Sequence, residues 1–282
     1  MNYAIEILLL NFGYVFVFFN PTMKHLFYII SFLLFSIVSQ DSIEPIFIEK
    51  TEFTADALVG IADFDTTFYI SENILFKKNQ DVKGIDIGYN NFQLGKITSA
   101  NTFNPSKINV FYKDFNTVVV LDNQLAEIFK IDFNTIQPYK YVTHISTGSD
   151  NTIWIFNHDS QNLELFDYKT QTTRAKTAPI KGTVLDLKSN YNTCWLLTEN
   201  HLYIYNDSGS LIKKIKNNGY TQLIENNGNL ILKKDNGLYY LENNTETPQA
   251  IIIPDLLINQ FFVTNQTMYI YDGEYLHKFK IN

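Results

Sequence analysis

A pattern of about 40 residues recurs six times after residue 41, and it constrains the fold more than any other feature. Each copy has a polar turn ending in Thr or Asn, a short apolar strand, a second turn and another strand that begins near a leucine. The apolar segments lie at residues 67–70, 117–120, 152–156, 193–197, 229–232 and 267–271. The leucines that follow them are Leu75, Leu125, Leu163, Leu202, Leu238 and Leu276.

A period near 40 with several short strands in each unit is typical of β-propeller blades, each a four-stranded sheet. One such sheet cannot bury both of its faces, and stacking six of them in a ring covers those faces. Helical solenoids of similar period need amphipathic helices, and no segment here has sustained helical periodicity. We therefore predict an all-β fold, a six-bladed β-propeller, formed by residues 41–282 as a single domain.

The spacing of the leucines departs from this period once. Leu75 and Leu125 are 50 residues apart, whereas the later steps span 36 to 39 residues. The long step predicts an insertion between the first two blades, within residues 89–106. We interpret it as a longer outer hairpin. The alternative is a loop that carries function, as extended surface loops often do.

The two ends of the chain predict how the ring closes. The last unit has strands near residues 259–264, 267–271 and 275–281, and is one strand short of a blade. Residues 43–53 form a spare β-rich segment before the first unit. Pairing of this N-terminal strand as the outermost strand of the last blade would close the ring by backbone hydrogen bonds and remove an exposed edge.

Two apolar stretches, residues 4–19 and 26–38, open the chain. The second follows the basic start at Met23-Lys24 and has the length of a signal-peptide core. We interpret residues 1–40 as an upstream segment plus a signal peptide, with translation starting at Met23. The alternative is a membrane hairpin, although each stretch is shorter than the roughly 20 apolar residues that span a bilayer.

Processing of this segment is a testable prediction. If the signal-peptide interpretation is right, cleavage occurs near Ser39 or Gln40. Mass spectrometry of the exported protein should then find an N-terminus near Asp41. A mature protein that still begins at Met1 or Met23 would show that this interpretation is wrong.

Composition and motifs exclude several classes of function. The net charge is −7, which argues against nucleic acid as a partner, because phosphate binding needs a basic face. The one cysteine, Cys194, lies in an apolar run and is expected to be buried and inert. The histidines are not spaced as zinc ligands, and no nucleophile or phosphate-loop motif occurs. We therefore expect no catalytic motif, no metal site and no cofactor.

A ring of polar residues is the candidate site. One polar residue in each inner strand stands seven or eight positions before the next strand of its blade. A polar ring around a central channel could bind an ion or a small ligand. The alternative is that a water-filled channel needs a polar lining in any case. The candidate channel-lining residues are Asn109, His144, Asp186, Gln222 and Gln260, with Asp56 as a looser match in the first blade.

The repeat resembles the six-bladed propeller superfamily that includes the NHL and TolB-like groups. Residues 104–113 and 116–125 also resemble a family of exported Bacteroidota proteins. That resemblance covers nearly the whole mature chain and implies no established activity. The motifs of the WD, kelch and Asp-box propellers are absent.

These observations favour an exported, non-catalytic binding or assembly module of the cell envelope. Its expected partner is another protein or a small ligand at the channel mouth. The mature form is expected to have no membrane span. Its expected location is periplasmic, outer-membrane associated or extracellular. The alternative is an enzyme, a hydrolase or lyase acting on carbohydrate or a small molecule in the channel, with Asp186 and His144 as its candidate residues.

Overall fold

A computed structural model describes residues 42–62, 66–78 and 86–281. The predicted upstream segment, signal peptide and cleavage site lie outside these residues. Within them, 24 strands form six antiparallel sheets of four strands each. Two 3₁₀ helices, Phe92–Leu94 and Lys113–Phe115, are the helical segments of the described residues. No helix in this part of the chain has the length and apolar content that a membrane span needs.

The sheets are built from consecutive strands, except that β1 joins the last one. The first half of the chain contributes β1 (Ile46–Glu52), β2 (Ala57–Ala62), β3 (Thr66–Ser71), β4 (Ile74–Lys78), β5 (Ile87–Tyr89), β6 (Ser99–Asn101), β7 (Ile108–Tyr112), β8 (Thr117–Leu121), β9 (Glu127–Asp132), β10 (Val142–Thr147), β11 (Thr152–Asn157), β12 (Asn162–Asp167) and β13 (Thr172–Lys176). The second half contributes β14 (Val184–Ser189), β15 (Thr193–Thr198), β16 (His201–Asn206), β17 (Leu211–Lys216), β18 (Gln222–Asn226), β19 (Asn229–Lys234), β20 (Gly237–Leu241), β21 (Gln249–Ile251), β22 (Gln260–Thr264), β23 (Thr267–Tyr271) and β24 (Tyr275–Lys280).

Each sheet is one blade of a ring. Blades 1 to 5 take β2–β5, β6–β9, β10–β13, β14–β17 and β18–β21, and blade 6 has the order β22-β23-β24-β1. The fold is a six-bladed β-propeller, as the repeat predicts. The middle strands are buried on both faces, as in β8, β11 and β12, because each blade packs between two others. They are therefore nearly continuous apolar runs.

The hydrophobic core consists of six clusters, one at each interface between neighbouring blades. The cluster between blades 3 and 4 contains Trp154 and Cys194. Burial raises the pKa of the Cys194 thiol well above its usual value, so this cysteine is held as an inert thiol. The cluster between blades 6 and 1 joins Leu58 and Ile61 to Tyr269 and Leu276.

The N-terminal strand closes the ring as the sequence predicts. β1 runs antiparallel to β24 along its whole length, with Ile46 opposite Lys280 and Glu52 opposite Tyr275. Phe53 continues the closure: its ring contacts Tyr271 of blade 6 and Tyr69 of blade 1, with centroid distances of 5.4 Å to each.

Blade 2 differs from the sequence interpretation. Residues 117–120 belong to β8, the third strand of the blade, and not to its second strand, which is β7. The predicted insertion is therefore wrong. Residues 89–106 contain the end of β5, a 3₁₀ helix and β6, which are regular parts of blades 1 and 2. The misalignment by one strand explains the apparent 50-residue step.

Candidate functional site

The ring encloses a central channel. The six innermost strands, β2, β6, β10, β14, β18 and β22, all line a cavity of about 860 Å³. Because neighbouring strands of a blade are antiparallel, the ring has two distinct faces. The hairpin face carries the loops between the first and second strands of the blades. The connection face carries the links from one blade to the next.

Four of the five predicted ring residues line this cavity: His144, Asp186, Gln222 and Gln260. They lie in the first halves of their strands, towards the connection face. Asn109 does not belong with them. It lies on β7, the second strand of blade 2, where it is fully buried, and its assignment to the innermost strand is wrong.

The reason for the error at Asn109 is the misalignment of blade 2. In the sheet Asn109 lies opposite Asn101 of β6, which is the true innermost strand. Neither polar atom of the Asn109 amide has a hydrogen-bond partner in the described part of the chain.

Asp56, the looser match in the first blade, serves a local role. Its carboxylate accepts a hydrogen bond from the Glu72 N–H in the β3–β4 turn at 2.8 Å.

Two of the ring residues join neighbouring blades. Gln260 of blade 6 accepts a hydrogen bond from the Leu58 N–H of blade 1 at 2.5 Å. Asp186 of blade 4 accepts one from the Leu223 N–H of blade 5 at 2.9 Å. An innermost strand has one unpaired edge, whose N–H groups need acceptors when they are buried. These side chains supply acceptors from the adjacent blade.

The same device recurs with other polar residues of the inner strands and their hairpins. The amide of Asn101 donates to Ser146, and Ser189 donates to the Thr147 carbonyl, at 3.3 and 2.5 Å. Asn190 donates to Glu225 at 3.2 Å, and Asn226 donates to the Asn265 carbonyl at 2.8 Å. Much of the polar lining of the channel therefore holds the ring together.

The two glutamines give a matched test of this role. Gln260→Ala leaves the Leu58 N–H without its acceptor, and we expect a loss of about 1–2 kcal/mol in the free energy of unfolding. Gln222 occupies a similar position in β18 but is exposed, so Gln222→Ala should cost less than about 0.5 kcal/mol. Urea denaturation of both variants measures the difference. Equal losses would contradict the role of Gln260 as a link between blades.

Among the described residues, the titratable groups that line the channel are His144 on blade 3, Asp186 and Lys188 on blade 4, and Glu225 on blade 5. Lys188 and Asp186 form an ion pair with Nζ and Oδ1 2.7 Å apart. Burial lowers the pKa of His144 to about 4, with Lys113 and Lys188 acting in the same direction and Asp186 opposing them. The imidazole is therefore neutral at pH 7. The channel can offer an uncharged imidazole, the paired carboxylate and ammonium of blade 4, and the Glu225 carboxylate.

A second cavity of about 410 Å³ opens on the connection face, and His144 lines both cavities. The second cavity is also lined by Lys113, His158, Gln161 and Glu199. Within residues 42–62, 66–78 and 86–281, no three His, Cys, Asp or Glu side chains are grouped so that they could hold a metal ion.

The hairpin face carries a feature that the sequence interpretation missed. Phe103 and Tyr191 are each 42% exposed, and their rings meet edge to face with centroids 5.2 Å apart. Phe103 lies in the β6–β7 loop and also lines the channel cavity, and Tyr191 lies in the β14–β15 loop. Loop residues do not follow the repeat, so periodicity gave no signal for this pair.

No protein-family model matches the chain, and a search of curated proteins found no match. Solved structures do match it. The chain is similar to streptogramin B lyase, with a TM-score of 0.58, 12% identity and coverage of 83% of this chain and 98% of the lyase chain. It is also similar to a catalytically inactive virginiamycin B lyase from Staphylococcus aureus with quinupristin, with a TM-score of 0.55, 12% identity and coverage of 83% and 99%.

A third similar structure belongs to a mitotic checkpoint complex, with a TM-score of 0.56, 9% identity and coverage of 86% of this chain and 94% of that chain. The shared feature is the fold. These rings include enzymes and a component of a protein assembly, and such low identities carry no function across. The resemblance to exported Bacteroidota proteins is not supported by these comparisons.

Proposed function

We propose that this chain is a non-catalytic binding or assembly module of the cell envelope that engages another protein or a small ligand at a mouth of its channel. The proposal places it outside the cytoplasm, on the strength of the signal-peptide pattern in residues 26–38. The observation that carries it is that polar side chains of the channel form hydrogen bonds between neighbouring blades.

Asp186 and Gln260 bind backbone N–H groups of the next blade, so their acceptor atoms already have partners. The Gln260 amide is not a general acid or base, and the Asp186 carboxylate serves to hold blades 4 and 5 together. What this arrangement provides is a rigid opening of fixed shape. Rigid openings with many fixed polar groups suit binding, because little conformational entropy is lost when a partner docks.

The proposal is tested by blocking the channel. The full chain is used as bait in an envelope extract of the organism that makes it, and bound proteins and small molecules are identified by mass spectrometry. Ser99 is exposed and lines the channel, so Ser99→Trp should narrow the channel without disturbing the core. We expect a specific ligand to be recovered with the unmodified protein and lost with Ser99→Trp.

Lys130→Trp is the matched control, because Lys130 is exposed on the outermost strand of the same blade. The control should retain the ligand. Repeated failure to recover any specific partner, or equal recovery with both tryptophan variants, would refute the proposal.

An enzyme is the second candidate, favoured by the cluster of His144, Asp186 and Lys188 in one cavity. A neutral imidazole can accept a proton, although a pKa of about 4 makes His144 a weak base. Because lyases of streptogramin B and virginiamycin B share the fold, quinupristin is a rational first substrate. Turnover by the unmodified protein that His144→Gln abolishes would favour the enzyme, and no turnover of quinupristin or of a carbohydrate panel would remove it.

A further inference from the structure

The pair formed by Phe103 and Tyr191 is an exposed aromatic surface at the rim of the channel. The two residues come from blades 2 and 4, and blade 3 lies between those blades in the ring. Their rings are nearly perpendicular, at 83°, so together they form a corner with an apolar floor and an apolar wall. Large exposed aromatic surfaces beside a cavity commonly mark binding sites, since exposure of such surface is otherwise unfavourable.

The loops that carry this pair are fixed in place. The Asn190 side chain accepts hydrogen bonds from the N–H groups of Asn192 and Thr193, at 2.9 and 2.8 Å, and so holds the turn that contains Tyr191. The Phe103 N–H donates to the Asn101 side chain at 3.2 Å. The rings are therefore held at the surface without being buried in it.

The hairpin of blade 3 between these loops is locked by a buried lysine. Lys107 follows the Phe103 loop, and its ammonium donates to the carbonyls of Gly148 and Asp150 at 2.6 and 2.8 Å. A third bond reaches the Thr152 carbonyl at 3.1 Å. The cost of burying this charge is visible in its pKa, which burial lowers to about 8. The bonds fix blade 2 to blade 3 beside the aromatic pair.

The remaining groups at this mouth are mostly uncharged hydrogen-bonding groups. Asn227 and Asn265 are exposed in the hairpin loops of blades 5 and 6 and line the same cavity as Phe103. Glu225 adds a carboxylate, which already accepts bonds from Asn190 and Gly228. The ammonium of Lys188 is paired with Asp186, so the described residues of the lining offer no unpaired cation to an anionic ligand.

We propose that the hairpin-face mouth of the channel binds a neutral oligosaccharide. The apolar C–H face of one sugar ring packs against Phe103 and Tyr191, and hydroxyls elsewhere on the oligosaccharide bond to the amides of Asn227 and Asn265 and to Glu225. The cavity of about 860 Å³ is large enough for a ligand of a few sugar rings. This inference rests on the proposed function and names the ligand class of its channel mouth.

The same chemistry makes other ligands poorer fits. A nucleic acid or acidic glycan would meet Glu225 and a chain of net charge −7, and within the part of the chain that the structure describes the lining has no unpaired cation to balance its charge. Protein hot spots are rich in Trp, Tyr and Arg. Tyr191 lies at this mouth, but Trp154 and Trp195 are buried. The single arginine of this sequence, Arg174, lies on β13 at the outside of blade 3.

The test is a binding screen of the full chain on an array of neutral oligosaccharides, followed by titration calorimetry with the best glycan. Phe103→Ala and Tyr191→Ala should each weaken binding by on the order of tenfold, because each removes one of the two stacking surfaces. Tyr191→Phe should retain binding. Phe115→Ala and Tyr139→Ala are matched controls: these residues are 47% and 48% exposed and lie on the connection face, so affinity should not change.

Three results would overturn the inference: no binding to any neutral glycan, binding confined to acidic glycans, or affinity unchanged in Phe103→Ala and Tyr191→Ala. A protein partner that Ser99→Trp releases, without glycan binding, would also overturn it while leaving the proposed function intact. Circular dichroism of each variant confirms that the ring has folded before binding is compared.

Discussion

Deleting residues 41–53 will lower the midpoint of thermal unfolding by about 10 °C. The loss of stability will affect the whole ring and not the last blade alone. The deletion removes β1, which forms a ladder with β24 of blade 6. It also removes Phe53, whose ring contacts both blade 6 and blade 1. After the conformational entropy cost of ordering the segment is subtracted, the lost ladder and aromatic contacts amount to about 4 kcal/mol. A domain of this size loses about 2–4 °C for each kcal/mol. Differential scanning calorimetry measures the change.

A relocated strand is the control for this deletion. Ile46 lies opposite Lys280, so residues 42–53 placed after Asn282 with a short turn would form an ordinary hairpin with β24. The relocated chain should recover most of the lost stability, because the strand itself is restored and only its connection differs. A deletion variant that keeps the original midpoint and stays monomeric would refute closure by β1.

The sequence was sufficient for most of the fold because the blades repeat locally. The second strands of blades 3 to 6 begin with Thr or Asn and continue as apolar runs, and each is followed by a leucine in the third strand. The missing strand of the last unit and the spare strand near the N-terminus then determine the closure. Both inferences depend only on strand patterns within the chain.

Blade 2 could not be read in the same way, for two physical reasons. Its innermost strand, β6, is only three residues long and contains Ser99, Ala100 and Asn101, which give no apolar strand pattern. Its third strand, β8, begins with Thr117 and is Val-rich because it is buried on both faces, so it resembles a second strand. Asn109 was consequently assigned to the wrong strand.

The polar ring shows a different limit of sequence reasoning. Polar residues at Asp186 and Gln260 were expected, but their partners are backbone groups of Leu223 and Leu58 on neighbouring blades. Such partners depend on how two sheets are positioned beside each other, which a one-dimensional pattern does not contain. The pair of Phe103 and Tyr191 depends on three blades at once.

The second large effect on stability is expected from a buried ion pair between Lys140 and Glu164. Glu164 of β12 is 1% exposed, and its carboxylate lies 2.5 Å from the ammonium of Lys140. Asn157 and Thr173 also donate to it, at 3.0 and 2.6 Å. Burial alone would raise the pKa of Glu164, but the hydrogen bonds from Lys140, Thr173 and Asn157 outweigh burial and lower that pKa below its usual 4.5.

The lysine also fixes the connection between two blades. Lys140 lies between β9 and β10, and its carbonyl accepts a hydrogen bond from the Asn116 amide at 2.7 Å. We expect Lys140→Met to destabilise the protein by about 3–5 kcal/mol at neutral pH, because it removes the buried counter-charge of Glu164 and leaves only the half-exposed ammonium of Lys176, 3.8 Å away, beside that carboxylate. The double variant Lys140→Met with Glu164→Gln should recover at least half of this loss, since the buried carboxylate that lost its partner is also removed. Urea denaturation of the single and double variants measures both values.

The pH dependence separates charge from packing. In the unmodified protein the folded pKa of Glu164 is lowered, so its contribution is present above about pH 4.5 and is lost as the pH falls through the folded value. In Lys140→Met we expect the pKa of Glu164 to be higher than in the unmodified protein, because burial then acts without the opposing effect of the Lys140 ammonium. The carboxyl should therefore take up a proton in mild acid. The difference in unfolding free energy between the two proteins should therefore shrink between about pH 7 and pH 5. A difference that stays constant over this range would show that Lys140 stabilises the ring by packing and not by its charge.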